Sequence, residues 1–233
     1  LKNMNVIINC SIKKKYLNQN YKDTNDIDLQ IVKKIKNFNI KYIFLSSRKV
    51  YRPGPNLKET SKTKPFDKYG KNKLITEKKI KKILINKLLI LRVSNILGTQ
   101  IKKTNRKIHK TFLHIFFDNL KSGYIFNNKK IYKDFIPISK FNYIIYKLIQ
   151  RNKIGLFNIS YGKKIFLSKL IKWLLKYSQN KYKIVNIKKS RLKKLEFKSF
   201  YLNNLKLRKE LNIDVNENDI KRECHRISKI FFK

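Results

Sequence analysis

Three residues spaced for chemistry stand out: Ser47, Tyr69 and Lys73. Tyr69 and Lys73 are four apart in Tyr69-Gly70-Lys71-Asn72-Lys73. On a helix, i and i+4 share a face, so a phenol and an ammonium can serve one site. Ser47 ends the apolar run Ile43-Phe44-Leu45-Ser46-Ser47, where a strand gives way to loop. Chemistry in an open α/β sheet is done at such strand ends. A phenol has a pKa of about 10, so acting as a base near pH 7 requires about three units, or roughly 4 kcal/mol, of preference for the phenolate. One positive charge at ~4 Å with an effective dielectric near 20 is worth about that much. Burial opposes it, and a second cation would offset the burial. With Ser47 donating a hydrogen bond to the substrate oxygen, the set suits proton transfer coupled to hydride transfer at a carbinol carbon. The Tyr–Lys spacing alone is weak evidence, because Tyr143/Lys147 and Tyr177/Lys181 repeat it. Two serines, a loop with Glu59 and Pro65, then the tyrosine helix, in that order, are what set the first pair apart.

A sheet must hold these groups. Asn3 to Cys10 is expected to be a buried strand, with Val6, Ile7 and Ile8 in one apolar run. Ile27, Ile31 and Ile35 recur at helical spacing, with Thr24 as the expected cap. Lys41 to Ser46 is the next strand, the helix of Tyr69 runs on through Ile83, and Leu88 to Val93 is a further buried strand. Strand, helix, strand in this rhythm predicts a parallel sheet with crossovers. Arg52-Pro53-Gly54-Pro55 opens the loop between Ser47 and Tyr69. Farther on, helices are expected over Ile108 to Leu120, Phe141 to Ile149, Leu170 to Tyr177, Leu202 to Leu211 and Glu217 to Phe232. Short strands are expected at Phe135 to Ile138, Leu156 to Ile159 and Tyr182 to Ile187.

The order of motifs resembles the extended short-chain dehydrogenase/reductase family, the NAD(P)-dependent sugar-nucleotide epimerases, dehydratases and reductases. The residues that carry the resemblance are Ser46-Ser47-Arg48-Lys49-Val50-Tyr51, Glu59, Pro65, Tyr69-Gly70-Lys71-Asn72-Lys73, Glu77 and Leu91-Arg92-Val93-Ser94-Asn95-Ile96-Leu97-Gly98. Further matches are Val6 to Cys10, Asn25, Asp134-Phe135-Ile136 and Gly155 to Ile159. The resemblance implies an α/β, Rossmann-like doubly wound parallel sheet with a smaller α/β substrate domain. It implies a division at 1–98 and 99–233, with 131–160 returning to the sheet. It makes Tyr69 the catalytic base, Lys73 its pKa-lowering and ribose-binding partner, and Ser47 the third catalytic member. NAD or NADP is the implied cofactor, held by Tyr69, Lys73, Cys10 and Ser46. Ser47 and Asn95 are the implied substrate contacts, and a nucleotide sugar the implied substrate.

The pattern departs from the family at Arg52, where Gly is usual, at Ile96, where Pro is common, and at Ser139-Lys140, where an Asp pair is common. A 4,6-dehydratase fits less well, because that branch places Asp-Glu where Arg48-Lys49 stand. Epimerase and 4-keto-sugar reductase of the dTDP-4-dehydrorhamnose type stay open. A homodimer pairing through the Asn25 and Tyr69 helices, and a cytoplasmic location, are further expectations by analogy.

Composition suggests a rival. The formal charge is +44, from 58 basic and 14 acidic residues, which points to a basic nucleic-acid-binding protein with no enzymatic role. Against this, the lysines are spread along every segment, and Lys far outnumbers Arg, whose planar fork base readout favours. No metal site is expected: Cys224 and His225 are adjacent and diverge on a helix, and His109 and His114 do not share a face. No disulfide is expected from the two cysteines, Cys10 and Cys224. A membrane span would need roughly 18 consecutive apolar residues, and no run reaches that. The six glycines make no glycine-rich turn to cradle a cofactor's pyrophosphate. The sequence opens on Leu1 in what reads as a strand, so the first βαβ part of the sheet is expected to lie upstream, roughly 60 residues at about 30 per unit.

Overall fold

In the computed structural model, residues 4–98, 112–127, 129–186 and 198–232 are described. The chain begins with β1 (Val6–Ile8), a short helix α1 (Lys14–Asn18) and helix α2 (Ile27–Ile35). There follow β2 (Lys41–Ser47), a 3₁₀ turn over Arg48–Val50, helix α3 (Lys68–Ile83) and β3 (Leu88–Val93). A small pair, β4 (Asn95–Leu97) with β7 (Phe135–Pro137), lies just beyond. Between these two come α4 (Phe112–Lys121), β5 (Tyr124–Asn127) and β6 (Tyr132–Lys133). The rest is α5 (Ile138–Gln150), β8 (Gly155–Ile159), β9 (Ile165–Phe166), α6 (Leu167–Leu174), β10 (Lys183–Asn186), α7 (Leu205–Leu211) and α8 (Glu217–Phe231).

The main sheet runs β1-β2-β3-β8, all parallel. Alternation along its strands builds two cores. Tyr42, Phe44, Leu88 and Ile90 face α2 and α3 and pack with Leu29, Val32, Ile35 and Ile80. Ile43, Leu89, Leu91 and Val93 point the other way, into a larger cluster with Ile144, Leu148, Leu170, Leu174, Ile220 and Ile227 of α5, α6 and α8. A strand buried on both faces reads as a continuous apolar run, which is why strands were legible at Lys41 to Ser46 and Leu88 to Val93, the first running one residue farther, to Ser47. The doubly wound α/β architecture is that expected from the sequence.

Several elements differ from expectation. Helix α2 is capped by Asp26, whose carboxylate accepts the backbone N–H of Leu29 at 3.0 Å, while Thr24 belongs to a preceding 3₁₀ turn. An aspartate directly at the helix start outcompetes a threonine two residues earlier, because only the former reaches the N3 amide. Helix α1 was not foreseen. It buries only Tyr16 and is tied down from a distance, with the Asn72 side chain donating to the Tyr16 carbonyl at 2.7 Å. Helix α6 starts at Leu167, three residues ahead of the expected Leu170, and ends at Leu174 rather than Tyr177. β5, unforeseen, pairs in parallel with β10. Helix α7 begins at Leu205, not Leu202, because Leu202 forms a bridge with Leu57 and the Asn204 amide is held by the carbonyls of Ser160 and Tyr161. The expected helix start at 108–111, with His109, and the strand end at Ile187 lie outside the described residues. No helix among the described residues is long and apolar enough to cross a membrane.

Candidate active site

The carboxyl end of β2 meets the first turn of α3, and β3 meets the same helix farther along, at Glu77. Asp67 fixes that turn: its Oδ1 accepts the Gly70 N–H at 2.7 Å, and its Oδ2 takes the Lys49 ammonium at 2.8 Å. Gly70 packs so closely on the Lys49 carbonyl that a Cβ there would overlap it. The start of α3 is thereby pressed against the 3₁₀ turn that follows Ser47.

Ser47 closes β2 and caps the 3₁₀ turn, accepting the Lys49 N–H at 3.2 Å. Its hydroxyl also makes a side-chain hydrogen bond with Tyr69. Ser47 and Tyr69 are both half-buried, and Lys73 is buried one turn farther along α3. The structure thus brings Ser47 and Tyr69 into contact.

The electrostatics are not those expected from the Tyr–Lys spacing. Burial pushes the Tyr69 phenol up to about 12, the Ser47 hydrogen bond opposes this, and the Asp67 and Asp28 carboxylates add to the rise. The Lys49 ammonium lies over the Tyr69 ring, with its nitrogen 5.6 Å from the centroid. Lys73 turns to Asp28, 3.6 Å away, with both side chains 7% exposed, and lies 4.4 Å from the Phe44 ring centroid. Burial pulls the Lys73 ammonium below its ordinary pKa, against the opposite pull of Asp28. The chain itself therefore holds Tyr69 as a phenol, and lowering its pKa needs a further positive charge.

Asp28 was not singled out in the sequence. Its carboxylate accepts from Tyr42 at 2.7 Å and from the Asn9 side chain at 3.0 Å, besides facing Lys73. A signal existed: Asp28, Val32 and Ile35 follow i, i+4, i+7, which places this aspartate on the buried stripe of α2. Replacing Asp28 by Asn keeps its shape and removes the negative charge, so the Tyr69 pKa should fall. Tyrosine Cζ carbon NMR across a pH series, with the Tyr69 signal assigned by Tyr69→Phe, measures this. An unchanged or higher Tyr69 pKa would contradict the coupling.

Neighbouring strand residues face opposite ways. Ser46 is buried behind the site, and its hydroxyl donates to Glu77 Oε1 at 2.5 Å. It belongs to a network that the sequence motifs contained without revealing its purpose. Arg92 donates to Glu77 through Nε at 3.0 Å and Nη2 at 2.6 Å. Its Nη1 donates to the Tyr51 hydroxyl at 2.9 Å, and Tyr51 donates to Asn158 Oδ1 at 3.0 Å. Glu59 accepts the Asn158 backbone N–H at 2.9 Å. This chain ties β2, α3, β3, β8 and the loop together directly behind Ser47.

Cys10 lies exposed just past β1, beside the Asn9 that reaches Asp28. Asn95 opens β4, half-buried, and its amide donates to the Asp134 carbonyl at 3.0 Å. The Asp134 carboxylate accepts backbone N–H groups from Tyr161 at 3.1 Å, Gly162 at 3.4 Å and Leu202 at 2.9 Å, joining the distal segments to the sheet.

The residues fit one end of a nicotinamide dinucleotide. A phenol raised by burial and carboxylates is the environment that a bound cation would relieve, and Lys73 lies one turn along the same helix as a buried donor. For the pyrophosphate end, none of the six glycines forms a glycine-rich strand-to-helix turn among the described residues.

No family model and no curated protein matches the chain. Solved structures do. A UDP-N-acetylglucosamine 4-epimerase from Methanobrevibacter ruminantium, in complex with UDP-N-acetylmuramic acid, is 19% identical with a TM-score of 0.76, over 97% of this chain and 76% of that one. A UDP-glucuronic acid 4-epimerase from Bacillus cereus, in complex with NAD, is 18% identical with a TM-score of 0.74, over 100% of this chain and 76% of that one. A dTDP-4-dehydrorhamnose reductase from Yersinia enterocolitica is 16% identical with a TM-score of 0.71, over 97% of this chain and 81% of that one. The chain therefore has the Rossmann-like fold of the extended short-chain dehydrogenases/reductases.

Proposed function

We propose that this protein is an NAD(P)-dependent enzyme of the epimerase/reductase kind, acting on a nucleotide-linked sugar. The observation that carries the proposal is the hydrogen-bonded Ser47–Tyr69 pair at the carboxyl ends of parallel strands, with Lys73 one turn on. The solved enzymes of this fold named above, which act on UDP- or dTDP-linked sugars, support the same reading.

In this proposal Tyr69 takes the proton from a sugar hydroxyl, or gives one to a sugar carbonyl, and Ser47 orients that oxygen by a hydrogen bond. A bound nicotinamide would supply the hydride acceptor or donor and a positive charge. Lys73 holds the nearby ribose and, with Asp28, stays fixed in a dry pocket. Cys10 borders the same site just past the end of β1, and Asn95 contacts the sugar from the start of β4. A 4-keto-sugar reductase of the dTDP-4-dehydrorhamnose type uses the same groups with the proton moving the other way. A homodimer and a cytoplasmic location belong to the proposal by analogy only.

The +44 charge favours one second reading, a nucleic-acid-binding protein. The two are separated by offering the protein nucleotide sugars with NAD or NADP, and separately duplex and single-stranded DNA across a salt series. We expect turnover of a nucleotide sugar, and DNA binding that is indiscriminate and collapses as salt rises. A sequence preference that survives physiological salt, without turnover, would favour the rival.

A further inference from the structure

Arg48 directly follows Ser47 in the chain, and the chemistry above gives it no task. Its guanidinium carbon lies 3.8 Å from the centroid of the fully buried Phe200 ring. Such stacking covers a face of the planar group and leaves its in-plane N–H fork for an acceptor. Among the described residues, no carboxylate comes within 4.0 Å of it. The two carboxylates that act on it from farther away are engaged elsewhere. Asp67 holds Lys49 at 2.8 Å and the Gly70 N–H at 2.7 Å. Asp134 accepts three backbone N–H groups, from Tyr161, Gly162 and Leu202. Arg48 is half-buried, and burial draws its pKa down to about 10, which leaves it charged at neutral pH. A guanidinium drawn partly out of water without a paired anion is costly, and a ligand anion removes that cost.

We propose that Arg48 is a specificity residue that binds a carboxylate on the sugar, so that the substrate is an acidic nucleotide sugar. This inference rests on the function proposed above. The planar fork matches a carboxylate with two parallel hydrogen bonds. Position decides for the sugar over the pyrophosphate. Asp67, which caps the Tyr69 helix, and Asp134, whose carbonyl holds Asn95, both act on the guanidinium, which sets it between the residues proposed for proton transfer and for sugar contact. The pyrophosphate is a sugar ring removed from the carbon that Tyr69 and Ser47 would serve.

The test is calorimetric titration of UDP-glucuronate, UDP-glucose and UDP into the protein and into Arg48→Met, repeated in the thymidine series. Wild type should bind the glucuronate at least about tenfold more tightly than the glucose, a difference of about 1.4 kcal/mol. Arg48→Met should erase that preference and leave the glucose and the free diphosphate unchanged. Arg48→Lys, which keeps the charge and loses the fork, should recover only part of it, and it carries the comparison should the Met variant fail to fold. Equal wild-type affinities for the two sugars, or a preference that survives Arg48→Met, would overturn the inference and leave the proposed function standing. An equal loss for UDP alone would assign Arg48 to phosphate and overturn it too. Failure of all three ligands to bind wild type would overturn the proposed function as well.

Discussion

Tyr69→Phe should lower turnover by at least about 10²-fold, as expected for loss of a general acid/base, and leave the fold in place. The phenylalanine ring still fills the half-buried space beside Lys49, so only the hydroxyl bonded to Ser47 is lost. The proton is transferred in the transition state, so the loss should fall on kcat with little change in KM. Tyr143→Phe and Tyr177→Phe are the controls. Both tyrosines have a lysine four residues on, and both are exposed, at 46% and 45%. Activity assays on purified variants with matched circular dichroism decide it. If Tyr69→Phe behaves like the controls, Tyr69 is not the acid/base.

Glu77→Ala should produce the largest loss of stability of any single substitution considered. The Glu77 carboxylate holds Arg92 by two hydrogen bonds, at 2.6 and 3.0 Å, and both side chains are 6% exposed. Burial disfavours the Arg92 charge, yet its pKa is raised overall, because Glu77 and Tyr51 stabilise the guanidinium. Removing Glu77 leaves that charge buried without its partner, which costs about 3–5 kcal/mol, or roughly 6–20 °C in Tm for a chain of this size. Asp23→Ala, which removes the exposed partner of Lys79, is the contrast and should cost about 0–1 kcal/mol. Urea unfolding of the two variants measures both. A loss below about 1 kcal/mol for Glu77→Ala would mean that the network contributes little net stability. Glu77→Ala should also lower turnover, because Ser46, which donates to Glu77, immediately precedes Ser47.

The contrast between these two predictions shows what could be read from residue order. Ser47, Tyr69 and Lys73 were recognisable because strand end, loop and helix start follow one another locally. Glu59, Glu77, Arg92, Tyr51 and Asn158 stood in the same motifs, but their shared purpose depends on contacts between distant segments, such as Tyr51 with Asn158. Asp28 reaches Lys73 only once α2 and α3 pack on the same face of the sheet. That contact engages Lys73 with a carboxylate, which the Tyr–Lys spacing alone does not show. Among the elements, β2 and β3 were legible because both faces are buried and the apolar run is continuous. Helix α1 was not, because Lys14–Asn18 buries one side chain and takes its stability from Asn72 and Thr76 of α3.

The central claim is that Tyr69 and Ser47 serve hydride and proton transfer at one carbon of a nucleotide-linked sugar. The most direct measurement uses UDP- and dTDP-sugars deuterated at a single ring carbon, incubated with the protein and NAD or NADP, and followed by NMR. Turnover should show a slowed rate with deuterium at one ring carbon only, and should vanish in Tyr69→Phe. Absence of turnover for every nucleotide sugar offered, or turnover that persists in Tyr69→Phe, would contradict it.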